Sequence, residues 1–193
     1  MVTKRRATQE AHERFIVNIF IDELNRRHRS YYRLSSEPNP PEAIIQSKKK
    51  TSWIEVTSTF ISQRFAEDQW TFATPGEKHR PVPKEVIINP DAQFAANFVS
   101  IVKKKLEKSS YLEFRDMYGS GYLLVSVQYP LFNPSTIKFM RRAWESTKFA
   151  DLGCFRSIYL IFHACNGYRV VLWQSVSPHS TRASQGSLGL SRR

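Results

Sequence analysis

Two stretches decide how this chain is read: Pro40-Pro41-Glu42-Ala43-Ile44-Ile45 and Trp53-Ile54-Glu55-Val56-Thr57-Ser58. Each is a short β-like run carrying one acid, and Ser47-Lys48-Lys49-Lys50 connects them. A hairpin turn centred between Lys48 and Lys49 sets Glu42 directly opposite Glu55. Facing residues on paired strands have Cβ atoms roughly 5 Å apart, where like charges repel. A shared divalent cation is the most economical reason for such a pair. The competing reading is a shifted register with both acids in water. In the second run Trp53, Glu55 and Thr57 share one face, and Ile54 and Val56 the other.

Upstream, Thr8 is placed to cap a helix running to about Arg27, with Phe15, Ile16, Ile19, Phe20 and Leu24 at helical spacing. Glu23 falls within that stripe. A carboxylate on a core-facing stripe is costly without a cation partner, and a salt bridge to Arg27, four residues on, is the alternative to a role in a site. Tyr31 to Leu34 reads as a short strand, and Glu37-Pro38-Asn39-Pro40-Pro41 as a rigid extended entry.

Downstream, Phe60 to Trp70 suits either a helix or an aromatic-rich loop, and Thr74 to Pro83 is irregular. The loop cluster Lys78-His79-Arg80 is either solvated or a phosphate contact. Asn89 and Pro90 start a second helix to about Lys108, with Phe94, Phe98, Ile101 and Val102 on its apolar face. Lys105 lies on that face, flanked by Lys104 and Lys108. It either snorkels to water or reaches a buried anion. Gly121 to Tyr129 is the clearest strand, apolar enough to be buried on both faces. Asn133 and Pro134 open a third helix, to about Thr147. Ser157 to Ala164 and Tyr168 to Gln174 form a hairpin around Asn166-Gly167.

The chain has 193 residues, enough for one domain with a core, and its 41% hydrophobic content excludes a disordered chain. A net charge of +12 favours a polyanionic partner such as nucleic acid, or an anionic membrane surface. Arg26-Arg27, Lys48, Lys49, Lys50, Lys104, Lys108, Arg141 and Arg142 are the basic residues expected to meet it. Cys154 and Cys165 flank one strand-like run, which argues against a mutual disulfide. They read as buried thiols of a reducing compartment. There is no signal-peptide core and no run long enough to span a bilayer, so a cytoplasmic, membrane-free protein is expected. The expected organisation is a flexible N-terminus over 1–7, one domain over 8–174 and a disordered basic tail over 175–193.

The element order is helix, three strands, helix, strand, then a helix and a hairpin. Together with Pro41-Glu42 and Glu55-Val56-Thr57, it resembles the PD-(D/E)XK (restriction-endonuclease-like) nuclease superfamily. The resemblance implies an α/β fold with a mixed central β-sheet flanked by helices, an αβββαβ core plus a C-terminal αββ unit. It implies a Mg²⁺ (or Mn²⁺) site on Glu42 and Glu55 that hydrolyses phosphodiester bonds of nucleic acid, with DNA the expected substrate. The chain departs from the family at Glu42, where Asp is usual, and at Thr57, which stands where the family has a lysine. Lys105, and next Lys108, would substitute for that cation, and Glu23 would match the extra acid of the first helix. Many enzymes of this kind act as dimers, so a homodimer or a place in a larger complex is expected. The alternatives are a catalytically inert nucleic-acid-binding domain of the same fold and a protein-interaction component.

Overall fold

The computed structural model describes residues 3–83, 87–149 and 151–176. The chain begins with helix α1 (Lys4–His28), capped by Thr3, whose side chain accepts the Arg6 N–H at 3.2 Å. Thr8 is therefore not the cap. Its hydroxyl bonds back to the Lys4 carbonyl one turn earlier, and residues 4–7, expected to be flexible, are helical. Strands β1 (Arg33–Ser36), β2 (Ala43–Gln46) and β3 (Thr51–Phe60) follow as an antiparallel meander. β1 starts two residues later than its sequence suggests, because Asn25 of α1 holds the Tyr32 backbone at both N–H and C=O.

The chain then crosses through α2 (Gln63–Ala73), α3 (Pro90–Leu106), a 3-10 turn (Ser109–Tyr111) and α4 (Leu112–Tyr118). It enters β4 (Gly121–Gln128) parallel to β3. Helix α5 (Pro134–Thr147) leads to β5 (Phe155–Ala164), parallel to β4, and a tight turn to β6 (Gly167–Ser175). The result is a six-stranded mixed open sheet in sequential order with helices on both faces, an α/β fold. Two helices and a short third fill the β3–β4 crossover, where one had been expected. The segment Gln63–Ala73 is helical, with Ser62 as its cap. Among the described residues no helix is long and apolar enough to cross a membrane.

The β2–β3 register is the one set by a turn between Lys48 and Lys49: Ala43 pairs with Ile54, Ile44 with Trp53, Ile45 with Ser52 and Gln46 with Thr51. Strand alternation then sorts the side chains. Ile54, Val56, Tyr122 and Leu124 pack under α1, while Trp53, Leu123, Val125 and Val127 pack under α3 and α5. Burial on both faces explains the unbroken apolar run of β4.

Helix α1 buries Ile16, Val17, Phe20, Ile21 and Leu24, so the stripe is rotated from the expected one and Phe15 stays 45% exposed. At α3, Asn89 takes a left-handed conformation (φ 51°) and its side chain makes no capping bond. Its carbonyl accepts the N–H groups of Ala92 and Gln93 instead. Cys154 is buried, but Cys165 is exposed at the β5–β6 turn, because that turn projects beyond both cores. The expected tail over 175–193 lies, beyond Val176, outside the described residues.

Trp53 is fully buried and packs on Phe155, with ring centroids 5.0 Å apart; its indole N–H donates to the Gly119 carbonyl at 2.8 Å. A Cβ on Gly121 would fall inside the van der Waals envelope of the Trp53 ring. Gly121→Ala should therefore destabilise the fold by about 1–3 kcal/mol through overpacking. Urea unfolding followed by tryptophan fluorescence measures this, and an unchanged midpoint would contradict the packing described.

Candidate active site

β3 outruns β2. Beyond the Ala43–Ile54 pair, residues 55–60 of β3 have no strand partner on that side among the described residues. Glu42, one residue before β2, lies across from Glu55 at the point where pairing stops, and its Oε2 accepts the Val56 N–H at 3.0 Å. One acid thus caps an edge donor that the sheet leaves open.

Glu55 is 1% exposed, and its strand parity points it toward α3. Lys105, in the last turn of α3, forms an ion pair with Glu55 Oε1. The Tyr111 hydroxyl donates to that same oxygen at 2.5 Å. Oε2 has no hydrogen-bond partner among the described residues. The Glu42 carboxyl is within hydrogen-bonding reach of Glu55, yet two ionised carboxylates offer only acceptors. Burial first, then the hydrogen bond and charge of Glu55, push Glu42 up to about 9, so the Glu42–Glu55 pair retains a proton at neutral pH. Burial also raises Glu13 and lowers His12, both on α1. Burial and the neighbouring Glu55 charge raise Tyr111, which keeps it a donor.

Glu13, Glu42, Glu55 and Lys105 line a cleft of about 640 Å³. Its lining also includes Arg5 and Arg6 of α1, Thr57 and Ser58 of β3, Trp70 of α2, and Lys108 just beyond α3. Glu42, Glu55, Thr57, Lys105 and Lys108 are thus brought together as expected from their positions in sequence. Of the two alternatives for Lys105, the buried anion is the one realised.

Other expected site residues lie elsewhere. Glu23 sits at the edge of the α1 stripe and pairs with Arg26 and Arg27, beside a separate groove between α1 and β6. Those arginines hold its pKa at about 2. The rotation of the buried stripe takes it off the core face, and both arginines are engaged there. Lys48, Lys49 and Lys50 occupy the β2–β3 turn, and Lys50 is five residues, or roughly 17 Å of strand, from Glu55. Arg141 is held against β6, stacked on the Trp173 ring (3.7 Å) and bonded to the Trp173 carbonyl, so it is not a free contact. Lys104 and Arg142 are exposed on α3 and α5. In the loop after α2, His79 pairs with Asp68 and Arg80 with Glu67.

Glu13 and Tyr111 were not anticipated, nor were the cleft arginines Arg5 and Arg6. Glu13 is three residues before Ile16, four before Val17 and seven before Phe20, in line with the buried stripe, and that spacing was the available signal. Tyr111 follows α3 in an irregular turn, where periodicity carries no information.

Among the described residues no group of three or more His, Cys, Asp or Glu side chains is placed to hold a metal. Two facing carboxyls, one with a donorless buried oxygen, do fit a hard cation that keeps most of its water, as Mg²⁺ does. Comparison of the chain with family models, curated proteins and solved structures finds no match.

The shift at Glu42 has a stability consequence. The folded state holds a proton that the unfolded chain releases above its ordinary value of 4.5. Stability from this group is complete below that pH and is lost as pH rises toward about 9. Glu42→Gln keeps an acceptor for Val56 and gives Glu55 a donor that does not titrate. At pH 8, without metal, it should stabilise the protein by on the order of 2 kcal/mol and flatten the decline with pH. Thermal midpoints at pH 5 and pH 8 read this out, and identical pH slopes for the two proteins would refute it.

Proposed function

We propose that this chain is a metal-dependent nuclease that hydrolyses phosphodiester bonds of nucleic acid, DNA in the first place, on a restriction-endonuclease-like version of the α/β fold. The observation that carries the reading is the buried Glu42–Glu55 pair with Lys105 beside it. The lysine that the β3 position Thr57 lacks is supplied from α3, within the same cleft. The helix and three-strand meander, followed by a helical crossover to a parallel fourth strand around that pair, supports the same fold.

Glu42 and Glu55 would hold Mg²⁺ or Mn²⁺, which when bound polarises a phosphate and makes a coordinated water more acidic. Arg5, Arg6 and Lys108 line the cleft walls, where a phosphate backbone would be neutralised. The Lys105 ammonium offsets negative charge as the water oxygen bonds to phosphorus and the ester oxygen leaves. The Thr57 hydroxyl in the cleft is suited to orient that water or a phosphate oxygen.

One observation favours a second reading, an inert nucleic-acid-binding domain. The Lys105 ammonium is paired with Glu55, and with one proton held by the Glu42–Glu55 pair the charges balance without a cation.

Cleavage of plasmid and single-stranded DNA with Mg²⁺ or Mn²⁺ separates the two. The expected outcome is EDTA-sensitive cleavage, lost in Glu55→Ala and reduced about 10²–10³-fold in Lys105→Met. Adding Thr57→Lys to Lys105→Met should recover part of the loss. Cleavage that survives Glu55→Ala would sink the site. Binding without cleavage, weakening steeply with salt, would leave the inert reading standing.

A further inference from the structure

Tyr111 holds one oxygen of Glu55 and leaves the other for a different ligand. Its ring is fully buried between Trp53 and Phe155, with centroids at 5.6 and 5.3 Å, and the Lys108 ammonium lies 4.9 Å from its centre. The hydroxyl reaches Glu55 Oε1 at 2.5 Å. Lys105 donates to the same oxygen. A buried carboxylate with two donors at hand would ordinarily satisfy both oxygens. Here both donors sit on Oε1, and Oε2 has none among the described residues. Two donors on one oxygen fix the rotation of the carboxylate plane, and Glu42 lies within hydrogen-bonding reach of the same carboxyl group.

The two donors are not equivalent. Lys105 carries its ammonium on a flexible stem at the cleft wall, where it can move to a substrate. Tyr111 is clamped by aromatic rings and has one geometry.

We propose that Tyr111 is a positioning residue for a divalent cation. By occupying Oε1 of Glu55, it presents Oε2 as a ligand oxygen. The inference rests on the metal-site reading above and extends it to a residue of the α3–α4 connection that never touches the metal. It also assigns Lys105 the freedom to leave Glu55 without disordering the ligand.

Mn²⁺ is the probe, with free Mn²⁺ followed by electron paramagnetic resonance in a titration. Thermal midpoints are measured with and without the ion. Tyr111→Phe removes only the hydroxyl and should weaken Mn²⁺ binding by about tenfold, the lower end of the range for groups that orient metal ligands. It should also shrink the midpoint gain produced by Mn²⁺. Lys105→Met, which removes a positive charge near the ion, should leave binding equal or tighter. Phe155→Leu loosens the ring clamp while keeping the hydroxyl, and should give a smaller loss than Tyr111→Phe; it stands in if Tyr111→Phe does not fold.

Two results would overturn the proposal with the metal site intact. One is Tyr111→Phe binding Mn²⁺ like the unmodified chain while Glu55→Gln does not. The other is midpoints that fall equally with and without the ion, the mark of a purely structural hydroxyl. If the unmodified chain binds no Mn²⁺, or Glu42→Gln and Glu55→Gln both bind it normally, the metal-site reading itself fails.

Discussion

A carboxylate buried inside a β-strand is the constraint around which this structure is arranged. Glu55 is 1% exposed on a face otherwise filled by Trp53 and the apolar side chains of α3 and α5. An ionised group in that position is expensive unless it is paired and hydrogen-bonded. The pairing comes from α3 through Lys105, and the hydrogen bond from the turn after α3 through Tyr111. The way α3 and the turn after it pack on β3 is therefore tied to satisfying one acid. Trp53, two residues earlier on the same face, supplies the apolar wall that keeps the Tyr111 ring in place.

The arrangement is only half satisfied, and that is its chemical interest. One oxygen of Glu55 takes both donors and the other takes none among the described residues, while Glu42, raised by burial and the neighbouring charge, lies beside the same carboxyl group. A sheet built for stability alone would replace such a pair with apolar side chains. The same site lies where β3 continues past β2, so that a backbone edge and a cleft open together. Helix α1 completes the cleft because its buried stripe becomes polar toward the N-terminus, through Glu13 and Arg6.

The parts legible in advance are those governed by short-range periodicity. A lysine-rich turn of fixed length sets the β2–β3 register, and strand alternation then fixes which residues share a face with Glu55. Lys105 was visible as a charge on an apolar helical face. The errors have the same origin. On α1, a choice of stripe displaced by one position turned Glu23 into a site candidate and hid Glu13. Val17 and Ile21 face the sheet, and no local signal distinguishes them from Phe15 and Ile19, which are also apolar. Arg141 looked like a free cation because its partner, Trp173, is on a strand far along the chain.

What the sequence determined by itself is the mixed α/β order, the register that faces Glu42 with Glu55, and the absence of a lysine at Thr57. These follow from turn length, apolar period and residue identity, all local properties. What only the tertiary structure decided is which charges meet at that pair. The docking of α3 brings Lys105 and Tyr111 to a single oxygen of Glu55, and the rotation of α1 brings Glu13 and Arg6 to the cleft while sending Glu23 to its arginines. Helix docking is set by the shape of the whole core, and the polar groups that share a site inherit their positions from that packing.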